Sequence, residues 1–294
     1  MSIIIDTKTV LARCAEGNLT IGQVMLEREV ELQSVPAAEH LARMAKSWRI
    51  MQEAAKAAVG HPIKSMGGLI GGEAQKLAQT AKRERMALSG LARRAVTYAM
   101  SVMEVNASMG LIVATPTAGS AGVLPGVLLS LKEEYGFEDE AMIDALFAAG
   151  CVGFLINQSA TLAGAEGGCQ AEVGSAAAMA AAATVQLLGG PPERSMDAAS
   201  ISLTNMLGLV CDPVRGLVEL PCQLRNAQGA VTALTAAELA LSGIGAPAPL
   251  EQMIPIMYRV GQSISVELRE TALGGTATAP IFKATACDGC RACE

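Results

Sequence analysis

Residues 141–210 carry six charged side chains in all: Asp144, Glu166, Glu172, Glu193, Arg194 and Asp197. A stretch of that length with so little charge has to be covered on every side, so it forms the centre of whatever the chain folds into. Within it, residues 173–188 are dominated by alanine, and two prolines at 191 and 192 end the run. Alanine is the strongest helix former, and its small side chain lets neighbouring helices approach closely. The whole chain follows the same pattern: 51% of its 294 residues are hydrophobic but only 3% are aromatic. Strand-forming aromatics are scarce. The expected fold is all-α, a single globular helical domain with its site built from inter-helix loops.

Several function classes fall away on composition. The net charge is −6 and no basic stripe is present, which removes the electrostatic footing for nucleic-acid binding. Asp6 and Lys8 interrupt the apolar start, so no signal peptide is read there. Eight cysteines in a chain of this length do not form a small disulfide scaffold; with no secretion signal they read as free thiols or metal ligands in a cytoplasmic protein. The mean hydropathy of +0.37 raises a membrane reading, and the stretches 105–131 and 145–165 carry no charge. Both contain polar, backbone-exposing segments that suit a buried site better than lipid.

Thr20 with Gln23 three residues later is a capping-box signal for a helix through Leu32. A second helix opens after Pro36, with Leu41, Met44, Trp48 and Met51 as its apolar stripe and His40 on its surface. These helices make residues 1–60 an N-terminal arm or layer. A glycine-rich loop (60–72) leads into a basic helix from Glu73 to Val105. Further helices are expected near 124–135, 139–156, 173–188, 196–209, 230–242 and 250–268. Residues 61–280 form the main domain, and 281–294 a cysteine-rich tail.

The candidate chemistry lies in the loops. Cys169, Cys211 and Cys222 each lie beside Gly or Pro, and Cys169 precedes a helix whose N-terminal dipole favours a thiolate. Three thiolates from separate loops can hold three irons of a [4Fe–4S] cluster and leave the fourth open. Their separations of 42 and 11 match no general metal motif, and small buried cysteines are common in cores. Cys287, Cys290 and Cys293 form a C-x2-C-x2-C ending without the completion of a ferredoxin run. The segment ATPTAGSAG (114–122) offers hydroxyls and backbone N–H groups to a small carboxylate. GGLIGG lacks the preceding strand of a dinucleotide site, and His40 and His61 are too few for a His-based zinc hydrolase.

These segments then come together. ATPTAGSAG (114–122), GCQAEVGS (168–175), LVCDPV (209–214), Pro221-Cys222 with Arg225-Asn226-Ala227, and LRETALGG (268–275) resemble the signature segments of the alpha subunit of iron–sulfur-dependent L-serine dehydratase. The resemblance runs over nearly the whole chain, in order. It implies a lyase that converts L-serine to pyruvate and ammonia without pyridoxal phosphate. It implies a [4Fe–4S] cluster on Cys169, Cys211 and Cys222, with Cys293 as candidate fourth ligand, acting as Lewis acid on the serine hydroxyl. It also implies a separate beta subunit and dimerisation, since the chain has no room for the extra domain before Met1. The segment GGTATAP (274–280) and the CxxCxxC ending depart from the family pattern.

On this reading Thr117, Gly119 and Ser120 bind the substrate carboxylate. Asn157 and Ser159 hold the amino group or the cluster sulfurs. Ser65, Arg225 and Asn226 are further substrate-binding candidates, Arg225 with the alternative of pairing to Asp212 or Glu219. Lys64 serves as base only if desolvated, and the sequence does not identify the base. A related cluster lyase acting on L-cysteine would use the same ligands. A cluster carrier using the tail cysteines is the non-enzymatic alternative.

Overall fold

The computed structural model describes residues 6–80 and 85–283. It is all-helical: no strand occurs among the described residues, and a lone parallel bridge pairs Cys211 with Arg269. The elements are α1 (Thr7–Gly17), α2 (Ile21–Gln33), α3 (Ala37–Ala57), α4 (Glu73–Gln79), α5 (Gly90–Ala107), α6 (Val123–Tyr135) and α7 (Asp139–Ser159). They continue with α8 (Gly164–Gly167), a π-type turn (Gln170–Gly174), α9 (Ser175–Leu187), α10 (Pro192–Met206), α11 (Cys222–Leu241), α12 (Leu250–Ser263) and α13 (Pro280–Lys283).

The alanine-rich helix α9 is the axis. Every residue from Ser175 to Val185 is buried, and α6, α7, α10 and α11 pack around it. The low charge of 141–210 has this cause: α7, α9 and α10 present most of their circumference to other helices. Small residues set the packing distance. At the α5–α6 crossing a Cβ on Gly126 would lie 2.7 Å from the Ala95 carbonyl oxygen, so only glycine lets the backbones meet there.

The N-terminal helices belong to the same apolar body. Val10, Cys14, Ile21, Val24, Trp48 and Met51 join the buried cluster that contains α7 and α9. The Thr20 capping box forms as expected, with Gln23 N–H donating to Thr20 Oγ1 and Thr20 N–H to Gln23 Oε1, both at 3.0 Å. Helix α3 corrects two expectations at once. His40 is buried rather than on the surface, while Leu41 is 39% exposed. The inward stripe runs His40, Met44 (partly buried), Trp48, Met51 and Ala55, so Met44, Trp48 and Met51 face inward as expected and His40 takes the place expected for Leu41.

Other boundaries also moved. The basic helix expected from Glu73 to Val105 is two helices, α4 and α5; Gly90, with φ +51°, starts the second. Helix α7 extends to Ser159, so Asn157 lies on a helix rather than in a loop. Helix α11 begins at Cys222, eight residues earlier than expected, directly after Pro221. No helix among the described residues is long and apolar enough to cross a membrane.

Candidate active site

Three segments deliver the three loop cysteines to one place. Cys169 leads the π-type turn, and the Gln170 N–H behind it donates to the Leu209 carbonyl at 3.0 Å, tying this turn to the strand-like segment of Cys211. Cys211 N–H donates to Leu268 O at 2.8 Å, and Glu270 N–H donates to Cys211 O at 2.6 Å. Cys222 is the first residue of α11. All three are buried, at 2%, 4% and 8% exposure.

Burial pushes each thiol up, Cys169 and Cys222 to about 12 and Cys211 in the same direction. Burial does the same to Cys151, to about 12, and Cys14, to about 11, in the helical core. What sets the three apart is the company they keep. Cys211 is raised further by Cys169, Glu172, Glu270 and Cys222, and Cys222 by Cys169 and Glu172. The guanidinium of Arg225 opposes this at Cys169, whose sulfur it also hydrogen-bonds, and at Cys222. Three thiols, one carboxyl and one cation thus share one buried space. Among the described residues no three His, Cys, Asp or Glu side chains are close enough to share a single metal ion.

Glu172 was not singled out from the sequence. It lies on the π-type turn three residues after Cys169, and Thr117 Oγ1 donates to its Oε1 at 2.7 Å. Its Oε2 is 3.9 Å from Cys211 Sγ. Two glycines make room for it. A Cβ on Gly164 would lie 2.5 Å from Oε2 and 3.0 Å from Cys211 Sγ, and one on Gly119 would lie 3.1 Å from Oε1. Burial raises the Glu172 carboxyl above its usual range, the Thr117 hydroxyl pulls it back, and Glu270 adds to the rise. A signal for it did exist: it is one of the six charges in 141–210, inside the segment that carries Cys169.

The other candidates divide into supports and exposed groups. Asn226 is fully buried: its Oδ1 accepts from Gly122 N–H (2.9 Å), and its Nδ2 donates to Gly119 O and Cys222 O (2.8 Å each). It therefore braces the 115–122 loop against the start of α11. Ser120 is also fully buried, with its hydroxyl on Thr115 O at 3.2 Å. Arg225 pairs with Asp212 at 2.6 Å and donates to Val210 O at 2.7 Å, so the structural partner expected for it is present. Asp212 Oδ2 also accepts from Thr276 N–H at 2.5 Å, holding the segment after Gly274-Gly275. Gly275 has φ +59°, and a Cβ there would lie 2.2 Å from Asp212 Oδ2.

Ser65 is buried in the glycine-rich loop and donates to Glu219 Oε2 at 2.7 Å. Glu219 takes two further donors, Gly67 N–H (2.6 Å) and Leu69 N–H (2.8 Å). Glu104, fully buried on α5, holds the other end of the loop through Gly72 N–H (3.0 Å) and Ala74 N–H (2.9 Å). Lys64 and His61 are exposed, so this chain does not itself desolvate Lys64. Asn157 and Ser159 are exposed on the last turn of α7. Cys287, Cys290 and Cys293 lie outside the described residues.

Comparison with known proteins identifies the family. A family profile described as "Serine dehydratase alpha chain" matches residues 16–277. The chain is 46% identical over 276 residues to the "Probable L-serine dehydratase, alpha chain" of Bacillus subtilis, covering 94% of this chain and 91% of that one. It is 40% identical over 264 residues to the "L-serine dehydratase, alpha chain" of Peptoniphilus asaccharolyticus, covering 90% of each. The "L-serine dehydratase TdcG" of Escherichia coli is 35% identical over 276 residues, 91% of this chain but 60% of that longer protein. The chain belongs to the serine dehydratase alpha-chain family and is a lyase.

Proposed function

We propose that this chain is the cluster-bearing alpha subunit of an L-serine dehydratase, converting L-serine to pyruvate and ammonia. The observation that carries the reading is the convergence of Cys169, Cys211 and Cys222 around Arg225 and Glu172, in a chain of this family. The donor set fits a [4Fe–4S] cluster. Thiolates are its usual ligands, and each binds a different iron, which asks for wider spacing than the sulfurs about 2.3 Å from a single zinc ion. Cys293 is the candidate fourth ligand. When bound, the cluster supplies a Lewis-acidic iron that makes the serine hydroxyl a better leaving group.

The chain's own residues shape the rest. Burial of the thiols and the loop keeps bulk water from the reacting carbon and strengthens the electrostatics of the site. Arg225 offsets the negative charge at Cys169 and Cys222 and donates to the Cys169 sulfur, while Asp212 and Val210 O fix its fork. The loop 115–122, braced by Asn226 and Ser120, presents Thr117 and the Gly119 backbone on the same side as Glu172. Ser65, held by Glu219, is a candidate on the opposite loop. Asn157, Ser159 and Lys64 face solvent in this chain and would need a further polypeptide to enclose them. A separate beta subunit, as the alpha-chain naming of the relatives suggests, and dimerisation supply that cover. The reducing cytosol would keep the ligands as free thiols.

The test is turnover without oxygen. The chain is purified with a co-expressed beta chain and given L-serine, L-threonine or L-cysteine in turn. Pyruvate and ammonia from L-serine are the expected products. Sulfide from L-cysteine with no pyruvate from L-serine would overturn the reading.

A further inference from the structure

An amino-acid substrate brings a cation into the site, its α-ammonium group, and some acceptor has to receive it once water is excluded. Other carboxylates besides Glu172 lie near the thiols or on the loops that frame them; Glu166, three residues before Cys169, is exposed. Asp212 is occupied by Arg225 and Thr276 N–H. Glu219 already takes Ser65, Gly67 and Leu69, and Glu104 takes Gly72 and Ala74. Glu270 is exposed. Glu172 differs from all of them. Its Oε1 takes one hydroxyl, from Thr117, and its Oε2 has only the long 3.9 Å approach of the Cys211 thiol.

A carboxylate oxygen accepts two or more hydrogen bonds, so Glu172 has acceptor capacity left on the side facing the cysteines. The side chain is half-buried while its neighbours Ala171 and Val173 are buried, so the carboxylate keeps some accessible surface. Gly164 and Gly119 let the backbone approach both oxygens closely and so fix where the carboxylate sits.

We propose that Glu172 is the substrate-binding residue that receives the α-ammonium group of the amino acid, through Oε2, with Thr117 fixing the carboxylate by its bond to Oε1. This rests on the reading of the chain as an L-serine dehydratase and adds a subsite to it. The geometry also gives Thr117 a new part: its hydroxyl orients Glu172, and with the Thr117 and Ser120 N–H groups bonded inside the turn, the Ala118 and Gly119 N–H groups are the ones left for the substrate carboxylate.

The experiment uses the loaded enzyme with its partner chain and the variants Glu172→Gln and Glu172→Asp. Iron, sulfide and the visible spectrum are recorded first. Binding is then measured by anaerobic calorimetry with two probes that are not turned over. L-Alanine keeps the ammonium and carboxylate but has no leaving group; 3-hydroxypropionate keeps the hydroxyl and carboxylate but has no ammonium. With the cluster intact, Glu172→Gln should weaken L-alanine and raise the KM for L-serine by roughly ten- to a hundredfold, the range for a hydrogen bond to a charged group. It should leave 3-hydroxypropionate nearly unchanged, and Glu172→Asp should recover part of the loss.

Equal weakening of both probes would overturn the assignment. So would a fall in kcat with both affinities and KM unchanged, which would mark a proton-transfer role. Loss of the cluster in both variants would also overturn it, making Glu172 a support of the metal site. Failure of the unaltered enzyme to act on L-serine would instead defeat the underlying functional reading, and is seen before any variant is made.

Discussion

The Thr117 hydroxyl donates to Glu172 Oε1 across 2.7 Å, joining the 115–122 loop to the π-type turn that follows Cys169. The two residues are far apart in sequence, and the bond links the two halves of the site. Thr117→Val keeps the shape and removes the donor. A hydrogen bond to a charged group contributes about 1.5–3 kcal/mol, so the KM for L-serine should rise by roughly tenfold or more with iron content unchanged. Steady-state kinetics beside an iron assay check this.

Gly164 and Gly119 predict a graded steric series. A Cβ at 164 would lie 2.5 Å from Glu172 Oε2, against 3.1 Å from Oε1 for one at 119. Overpacking costs about 1–3 kcal/mol, and the cost rises with the overlap. Gly164→Ala should therefore lose more activity than Gly119→Ala. Equal effects would contradict the placement of Glu172 between them.

Asn226 holds Gly122 N–H, Gly119 O and Cys222 O at once. Asn226→Leu keeps the volume and leaves buried polar groups unpaired, at a cost of about 2–4 kcal/mol. In a domain of this size that lowers the Tm by several degrees, at about 2–4 °C per kcal/mol. Thermal unfolding of the loaded protein measures it, and loss of cluster should accompany unfolding rather than precede it.

Glu219 takes its three donors from one loop, Ser65, Gly67 and Leu69. Glu219→Ala should release residues 63–72 and expose them to protease and to amide exchange while α9 stays protected. Unchanged exchange across the loop would contradict the role given to this carboxylate.

Trp48 is the sole tryptophan, and its indole N–H donates to Asp139 Oδ1 at 2.9 Å. That bond, and then Lys132, holds the Asp139 carboxyl below its ordinary value of 3.8. A lowered folded-state pKa adds stability that is fully present above the ordinary value and is lost as pH falls through the lowered one. Asp139 is largely exposed, so the effect is small. Tryptophan fluorescence should report the change at acid pH, and Asp139→Asn should flatten it.

How much of this was legible in the sequence follows from what each residue interacts with. The all-helical fold and the burial of most of 141–210 were readable because alanine content and missing charge act locally, while the turns around 157–166 and 189–193 reach the surface. The Thr20 capping box and the Pro36 helix start were readable for the same reason. The three cysteines stood out by their Gly and Pro neighbours, and their meaning came from the family resemblance. His40 was misplaced because a polar residue on an apolar stripe breaks the pattern a sequence reader follows. The split of α4 from α5 was missed because the alanine, leucine and basic residues around it favour helix on both sides. Glu172 and Glu104 were missed, and Glu219 was offered only as a partner for Arg225, because their true partners lie 55, 30 and 150 residues away, in the bonds to Thr117, Ala74 and Leu69. Long-range pairing of a carboxylate leaves no periodic trace.

The central claim is that Cys169, Cys211 and Cys222 hold a [4Fe–4S] cluster. The most direct measurement is iron and acid-labile sulfide per chain after anaerobic purification, for the unaltered protein and for each single Cys→Ala variant. The account predicts about four irons and four sulfides in the unaltered chain. It predicts loss of both in Cys169→Ala, Cys211→Ala and Cys222→Ala, and retention of both in Cys14→Ala and Cys151→Ala. An unaltered chain without iron under reducing conditions, or full iron content in any of the three site variants, would contradict it.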